Sequence, residues 1–277
     1  MRHSLLLLVY ALLSLQECAI AAHDTICLNK MHTAQYEYQV HSGYFNYASL
    51  DNLFSDNVYS GGNLFYEIAF DMRKNILVQT SVNFSIFDRK PKSLTLYPSI
   101  VSSDSRLNRI HQLHFELENS YSFPILKGRF ANVNLYITGN WFTSGDYVLD
   151  DNSMNPELLV SSIAPGLYGE YYLKALLLYT HLSSTLISYT CRNNYSNYRY
   201  ADYEEYGPSD FFRENSHIQF PNSLGAFLTN TGCKVNLTNR FGVQIEYHFR
   251  YLYDSEPRIL KSITSIYSLG LFYRVSK

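Results

Sequence analysis

The chain runs to 277 residues, 46% of them hydrophobic and only 17% charged, with a formal net charge of −2. A balance this near neutral leaves no electrostatic footprint for nucleic acid and excludes a nucleic-acid partner. Beyond the first residues no segment offers the ~18 consecutive apolar residues of a spanning helix, so a membrane role would fall to strands.

Arg2 and His3 precede an apolar run over 5–15 that is too short to span a bilayer. Ala19-Ile20-Ala21 then supplies the small-x-small pattern of signal-peptidase cleavage. A cut after Ala21 or Ala22 is expected, giving a signal peptide over 1–22 and a mature domain over 23–277. Cys18 raises the alternative of a lipidated cysteine, although Leu15, Gln16 and Glu17 are not the small residues such a site prefers. Three cysteines then remain, Cys27, Cys191 and Cys233, an odd number that makes no disulfide framework in an exported chain.

From there the chain alternates apolar and polar residues in ten segments, at 34–47, 62–73, 75–88, 109–122, 130–143, 157–173, 176–190, 226–238, 240–252 and 262–276. A period of two is that of a β-strand with unlike faces. In the second segment Tyr66, Ile68, Phe70 and Met72 oppose Glu67, Asp71 and Arg73; in the fourth Leu113, Phe115, Leu117 and Tyr121 oppose His114, Glu116, Glu118 and Ser120. The clearest case spans 241–251. Phe241, Val243, Ile245, Tyr247, Phe249 and Tyr251 lie on one side, and Gly242, Gln244, Glu246, His248 and Arg250 on the other. Its length and aromatic ends suit a barrel strand of ~9–11 spanning residues, with lipid outside and a polar lumen inside.

The links alternate as well. Short turns fall at 74–75, 123–127, 174–175 and 239–240, and long links at 48–61, 89–108, 144–156, 191–225 and 253–261. This rhythm belongs to outer-membrane barrels, with short periplasmic turns and long outer loops. The expected fold is therefore all-β, an antiparallel up-and-down transmembrane β-barrel of ten strands. The count becomes twelve if 191–225 adds a hairpin of its own.

Asn57-Val-Tyr-Ser-Gly61, Ser216-His-Ile-Gln-Phe220 and the terminal pairing of 226–251 with 262–276 resemble an uncharacterised family of Bacteroidota outer-membrane β-barrel proteins. The resemblance covers most of the mature chain and implies location and fold, with no activity attached. Family members tend to carry glycines and a second histidine around the His217 stretch, where this chain has Pro221 and Asn222.

Three groups of residues are candidates for function. The first is the lumen set of Glu37, Glu67, Asp71, Glu116, Glu118, Glu170 and Glu246, with Arg73, Lys234, Arg250, Arg274 and four histidines. In so narrow a barrel such charges are expected to form a salt-bridged plug; a polar channel or an acid/base group around Glu246, His248 and Arg250 is the alternative. The second is His181-Leu-Ser183, similar to the His-x-Ser pair of outer-membrane lipid A deacylases; residues two apart share a strand face. Leu178, Leu182 and Leu186 opposite put the pair in the lumen, away from lipid, and a hydrogen-bonded lumen histidine is the expected role. The third is the set Tyr195, Tyr198, Tyr200, Tyr203 and Tyr206, rings with polar tips suited to stacking on a glycan or gripping a protein. No metal or cofactor is expected from spacing: His111 and His114, three apart, fall on opposite strand faces. The partners expected are outer-membrane lipid and a glycan or protein at the outer loops. The expected function is that of a surface-exposed binding or structural barrel. The alternatives are a lipid or peptide hydrolase of the outer membrane, and a narrow channel for small polar solutes.

Overall fold

The computed structural model describes residues 35–51, 55–91, 110–127, 132–150, 153–173, 175–192, 216–256 and 259–276. The expected signal peptide, with its cleavage site at Ala21 and Ala22, lies outside them. Twelve strands follow one another: β1 (Gln35–Asp51), β2 (Ser55–Arg73), β3 (Leu77–Pro91), β4 (Ile110–Lys127), β5 (Val133–Asp150), β6 (Ser153–Leu173), β7 (Leu176–Ser184), β8 (Ile187–Arg192), β9 (Ser216–Gln219), β10 (Leu224–Asn236), β11 (Phe241–Asp254) and β12 (Leu260–Ser276).

Every pairing is antiparallel, and the sheet closes on itself. β1 lies between β2 and β12, the order continues through β11, β10, β7 and β6, and β5 joins β6 to β4. Ten strands thus go round the barrel. The other two prolong one hairpin. β7 ends at Ser184, two residues cross with Thr185 N donating to Ala226 O and Leu186 N to Ile163 O, and β8 resumes on β6. β9 pairs with β8, and a turn at 220–223 leads into β10. Residues 216–219 therefore lengthen the strand ahead of β10 and form no hairpin of their own.

The strands outrun the apolar–polar pattern. β2 begins at Ser55 and β6 at Ser153, so the expected links 48–61 and 144–156 shrink to the stretches between Asp51 and Ser55 and between Asp150 and Ser153. The reason is physical. Backbone pairing continues wherever N–H and C=O find partners, whereas alternation is visible only where the two faces meet different surroundings. Gly61 and Gly62, lacking side chains, hide it inside β2. At the opposite end the turns stay short, at 74–76 and 237–240, and β7 begins at Leu176 soon after β6 ends at Leu173. Asn132, just ahead of β5, takes a left-handed φ of 52°, which asparagine tolerates.

Burial is inverted relative to a water-soluble domain. On the outer face Val40 is 62% exposed, Ile68 69% and Leu271 66%. On the inner face Gln39, His41, Glu67, Glu170, Gln244 and Glu246 are all buried. Outward rings pair across strands, Tyr66 with Phe84, Tyr247 with Tyr267 and Phe241 with Tyr273, at centroid distances of 5.5, 4.8 and 4.7 Å. Apolar groups also reach the interior. Phe45, Tyr47, Phe65, Phe87 and Ile266 form one buried cluster, and Leu77, Tyr136, Tyr168, Leu177 and Tyr179 another.

Closure at the β1–β12 seam depends on Gly43, opposite Ser268. A Cβ there would run into the backbone carbonyl of Tyr267, whereas one at Gly139 would meet nothing. Gly43→Ala is expected to cost at least about 3 kcal/mol, the upper range for overpacking, because backbone must move. Gly139→Ala is expected to be near neutral. Urea unfolding of the refolded barrel in detergent measures both.

Candidate functional site: the lumen

Five groups of charged and aromatic side chains line the lumen, two of them side by side at one end. At the end with the short turns, Glu170 on β6 receives Arg73 from β2 in a two-pronged pair, with Nη1 at 2.9 Å and Nη2 closer still. Tyr172, Tyr168, Tyr136 and Asn134 all donate to the same carboxylate, at 2.8, 3.1, 3.3 and 3.3 Å. Beside it Lys234 on β10 reaches Glu37 at 2.5 Å and Asp71 at 3.2 Å, and Arg274 holds the other Glu37 oxygen at 2.6 Å. Gln39 donates to Glu37 and Asp71, at 3.0 and 2.8 Å.

The middle group centres on Glu246 of β11. Its Oε1 accepts from Tyr179 and, at 2.5 Å, from Gln244; its Oε2 accepts from His248 at 3.2 Å. His41 of β1 and Glu67 of β2 close the same space. Above it Arg250 pairs with Glu116 and lies 5.0 Å over the Phe142 ring, while His114 bonds Asp146 at 2.7 Å. At the far end Arg89 grips both oxygens of Glu157, at 2.7 and 2.9 Å, and Gln219 bonds Asp254 at 3.1 Å.

Between the middle and upper groups lies a cavity of about 30 Å³, lined among others by Glu118, His181, Ser183, His248 and Arg250. It has room for a water or two, which need some 10–15 Å³ each. The pockets that hold drug-sized ligands run to hundreds of Å³.

The structure thus places every charged residue of the expected lumen set on the inner face. Arg73, Asp71 and Lys234 fall in the lower groups, Glu67, Glu246 and His248 in the middle, and Glu116 and Arg250 above. His181 and Ser183 also point inward, but His181 Nε2 meets Thr138 Oγ1 and Asn140 Nδ2, each at 3.1 Å. That nitrogen is thus engaged by groups other than Ser183. Tyr195, Tyr198, Tyr200, Tyr203 and Tyr206 lie outside the described residues. The sequence patterns did not single out His41, Gln39, Tyr179 or the Arg89–Glu157 pair. The first three sit on correctly assigned inner faces; Arg89 lies just past the end of the expected third strand.

Comparison with solved structures finds barrels of several kinds. The outer membrane protease OmpT from Escherichia coli is 9% identical, covering 91% of this chain and 100% of that one, with a TM-score of 0.48. Neisserial surface protein A is 11% identical, covering 86% and 96%, with a TM-score of 0.36. The transport unit of the autotransporter AIDA-I from Escherichia coli is 9% identical, covering 94% and 96%, with a TM-score of 0.37. No protein-family model and no curated protein matches the chain. Identities this low assign no activity.

Removing one member of a buried charge pair leaves its partner uncompensated. Lys234→Met strips the cation shared by Glu37 and Asp71 and is expected to destabilise the barrel by about 3–5 kcal/mol. Lys90→Met, at an exposed side chain, is expected to stay within about 0.5 kcal/mol. Urea titration followed by tyrosine fluorescence distinguishes them.

Proposed function

We propose that the chain is an integral outer-membrane barrel of an exported bacterial protein, a binding or structural barrel that holds a recognition surface at its far end. The observation that carries this is the inverted burial: a broad apolar outer face around a polar, ion-paired interior. Water would reward the opposite arrangement, and lipid rewards this one. The resemblance to the Bacteroidota outer-membrane family and the leader-like N-terminus support the same location.

A pore is disfavoured by the lumen itself, where cross-barrel ion pairs and rings stack from one end to the other. A hydrolase reading finds His181 Nε2 engaged by Thr138 and Asn140 and not by Ser183. What remains is the far rim. There β8 and β9 continue the wall beyond β7 and β10, with Ile218 on β9 and Phe220 in the turn after it at 67% and 56% exposure, and Tyr189 of β8 paired with Ile218. These residues flank the tyrosine-rich link 193–215, and exposed rings and aliphatic groups together suit a glycan or protein partner.

Two measurements test this reading. Ile68 is exposed, so arginine there is nearly neutral in a water-soluble protein, whereas facing mid-bilayer it costs about 2–4 kcal/mol. Ile68→Arg is expected to lose that much in lipid vesicles; unchanged stability there, or native protein soluble without detergent and lacking a heat-dependent gel shift, would sink membrane residence. An epitope inserted at Tyr203 is expected to be labelled on intact cells. Labelling only after the outer membrane is breached would put the far end on the inner side and remove the recognition surface.

A further inference from the structure

His41, Glu67 and Glu246 bring one imidazole nitrogen and two carboxylate oxygens within 4.8 Å of one another, deep in the lumen. They come from β1, β2 and β11. His41 and Glu67 are direct partners in the β1–β2 register. Glu246 reaches them across β12, which presents only Gly270 opposite His41 and Ser268 opposite Glu246. Gly270 is what makes the approach possible, since a Cβ there would come 2.6 Å from His41 Nδ1.

The hydrogen bonds around the trio determine which atoms face inward. The amide nitrogen of Gln39 donates to Glu37 and Asp71, so its carbonyl oxygen is the end that faces His41 Nε2 at 3.1 Å. An oxygen acceptor there puts the imidazole proton on Nε2 and leaves Nδ1 as a bare lone pair. That lone pair sits 3.1 Å from Glu246 Oε2 and makes no hydrogen bond. Glu67 Oε2, in a side chain only 4% exposed, likewise has no hydrogen-bond partner. Three buried lone pairs therefore converge, two without any hydrogen bond and the third, on Glu246 Oε2, held from one side by His248 at 3.2 Å, an arrangement that costs free energy unless a cation occupies the centre.

We propose that these three atoms bind one divalent cation of the zinc class, clipping β1 and β2 to β11 across the strand that closes the barrel. The spacing of one pair already suits it, because 2.0–2.1 Å bonds in tetrahedral geometry set ligand atoms about 3.3 Å apart and His41 Nδ1 stands 3.1 Å from Glu246 Oε2, with the third atom inside the 4.8 Å span. An imidazole nitrogen beside two carboxylates selects a first-row transition cation over calcium or magnesium. The outer contacts are those of a metal site: Gln39 orients His41, while Tyr179, Gln244 and His248 hold Glu246. No chain segment outside the described residues is needed.

The test uses the full chain refolded in detergent with zinc, then stripped of free metal. About one zinc per barrel is expected to remain, with X-ray absorption showing nitrogen and oxygen donors and no sulfur. Zinc is expected to raise the unfolding temperature by about 5 °C, and magnesium is not. His41→Ala and Glu67→Gln are expected to weaken binding roughly 100-fold, and Gln39→Leu about 10–100-fold through the orientation of the imidazole. No retained zinc, sulfur donors, or undiminished affinity in folded His41→Ala would overturn the proposal. Should either ligand variant fail to refold, the stoichiometry and donor set of the unaltered chain decide it. The readout is made in detergent, so it stands or falls apart from the membrane assignment.

Discussion

The constraint on which everything else rests is closure. Ten antiparallel strands pair all the way round, with β1 against β12 and β5 against β6, so the wall has no open edge. A strand wall without edges satisfies its backbone polar groups internally and can stand in a solvent that offers no hydrogen bonds. Closure also divides every strand into an outer and an inner row of side chains. The outer row can then be apolar without harm, and the inner row has to resolve its own electrostatics.

The interior resolves them in layers that mix charge with aromatic rings. Glu170 sits within a ring of three tyrosine hydroxyls and one guanidinium; Lys234 bridges two acids and lies near the Tyr179 and Phe272 rings. Each buried carboxylate of the lower groups thereby meets both a cation and neutral donors, the condition under which burying charge is tolerable. Such networks also tie distant parts of the chain. Arg274 at the end of β12 holds Glu37 at the start of β1, and Arg89 on β3 holds Glu157 on β6. The seam and the wall are braced from inside, which is a reason for the lumen to be filled.

The middle group departs from this rule. Glu67 and His41 are as deeply buried as the others, yet each keeps an atom without a hydrogen bond, and both atoms face Glu246. Elsewhere every acid of the lower groups has its Lys or Arg. Here the ion pairs are with histidine, His248 standing 3.2 Å from Glu246 and 4.0 Å from Glu67. The far end departs in another way. β8 and β9 continue the wall beyond β7 and β10, with exposed apolar side chains such as Ile218 next to the tyrosine-rich link.

What the sequence determined by itself was the division of faces. In a narrow barrel that follows from period-two alternation alone, and Tyr66, Ile68 and Phe70 against Glu67 and Asp71 already declare which side meets which surroundings. The ten-strand count and the inward set of acids and bases followed from the same rule. What the alternation could not show is where pairing stops, because hydrogen bonding runs on through Gly61, Gly62 and Arg89 after the pattern fades. Nor could it show which inward residues meet. His41, Glu67 and Glu246 come together because register sets the first pair side by side and a glycine in β12 clears the way for the third. Strand-face identity is local and written in neighbouring residues; contact across a lumen depends on register and shear, which exist only once the sheet has closed.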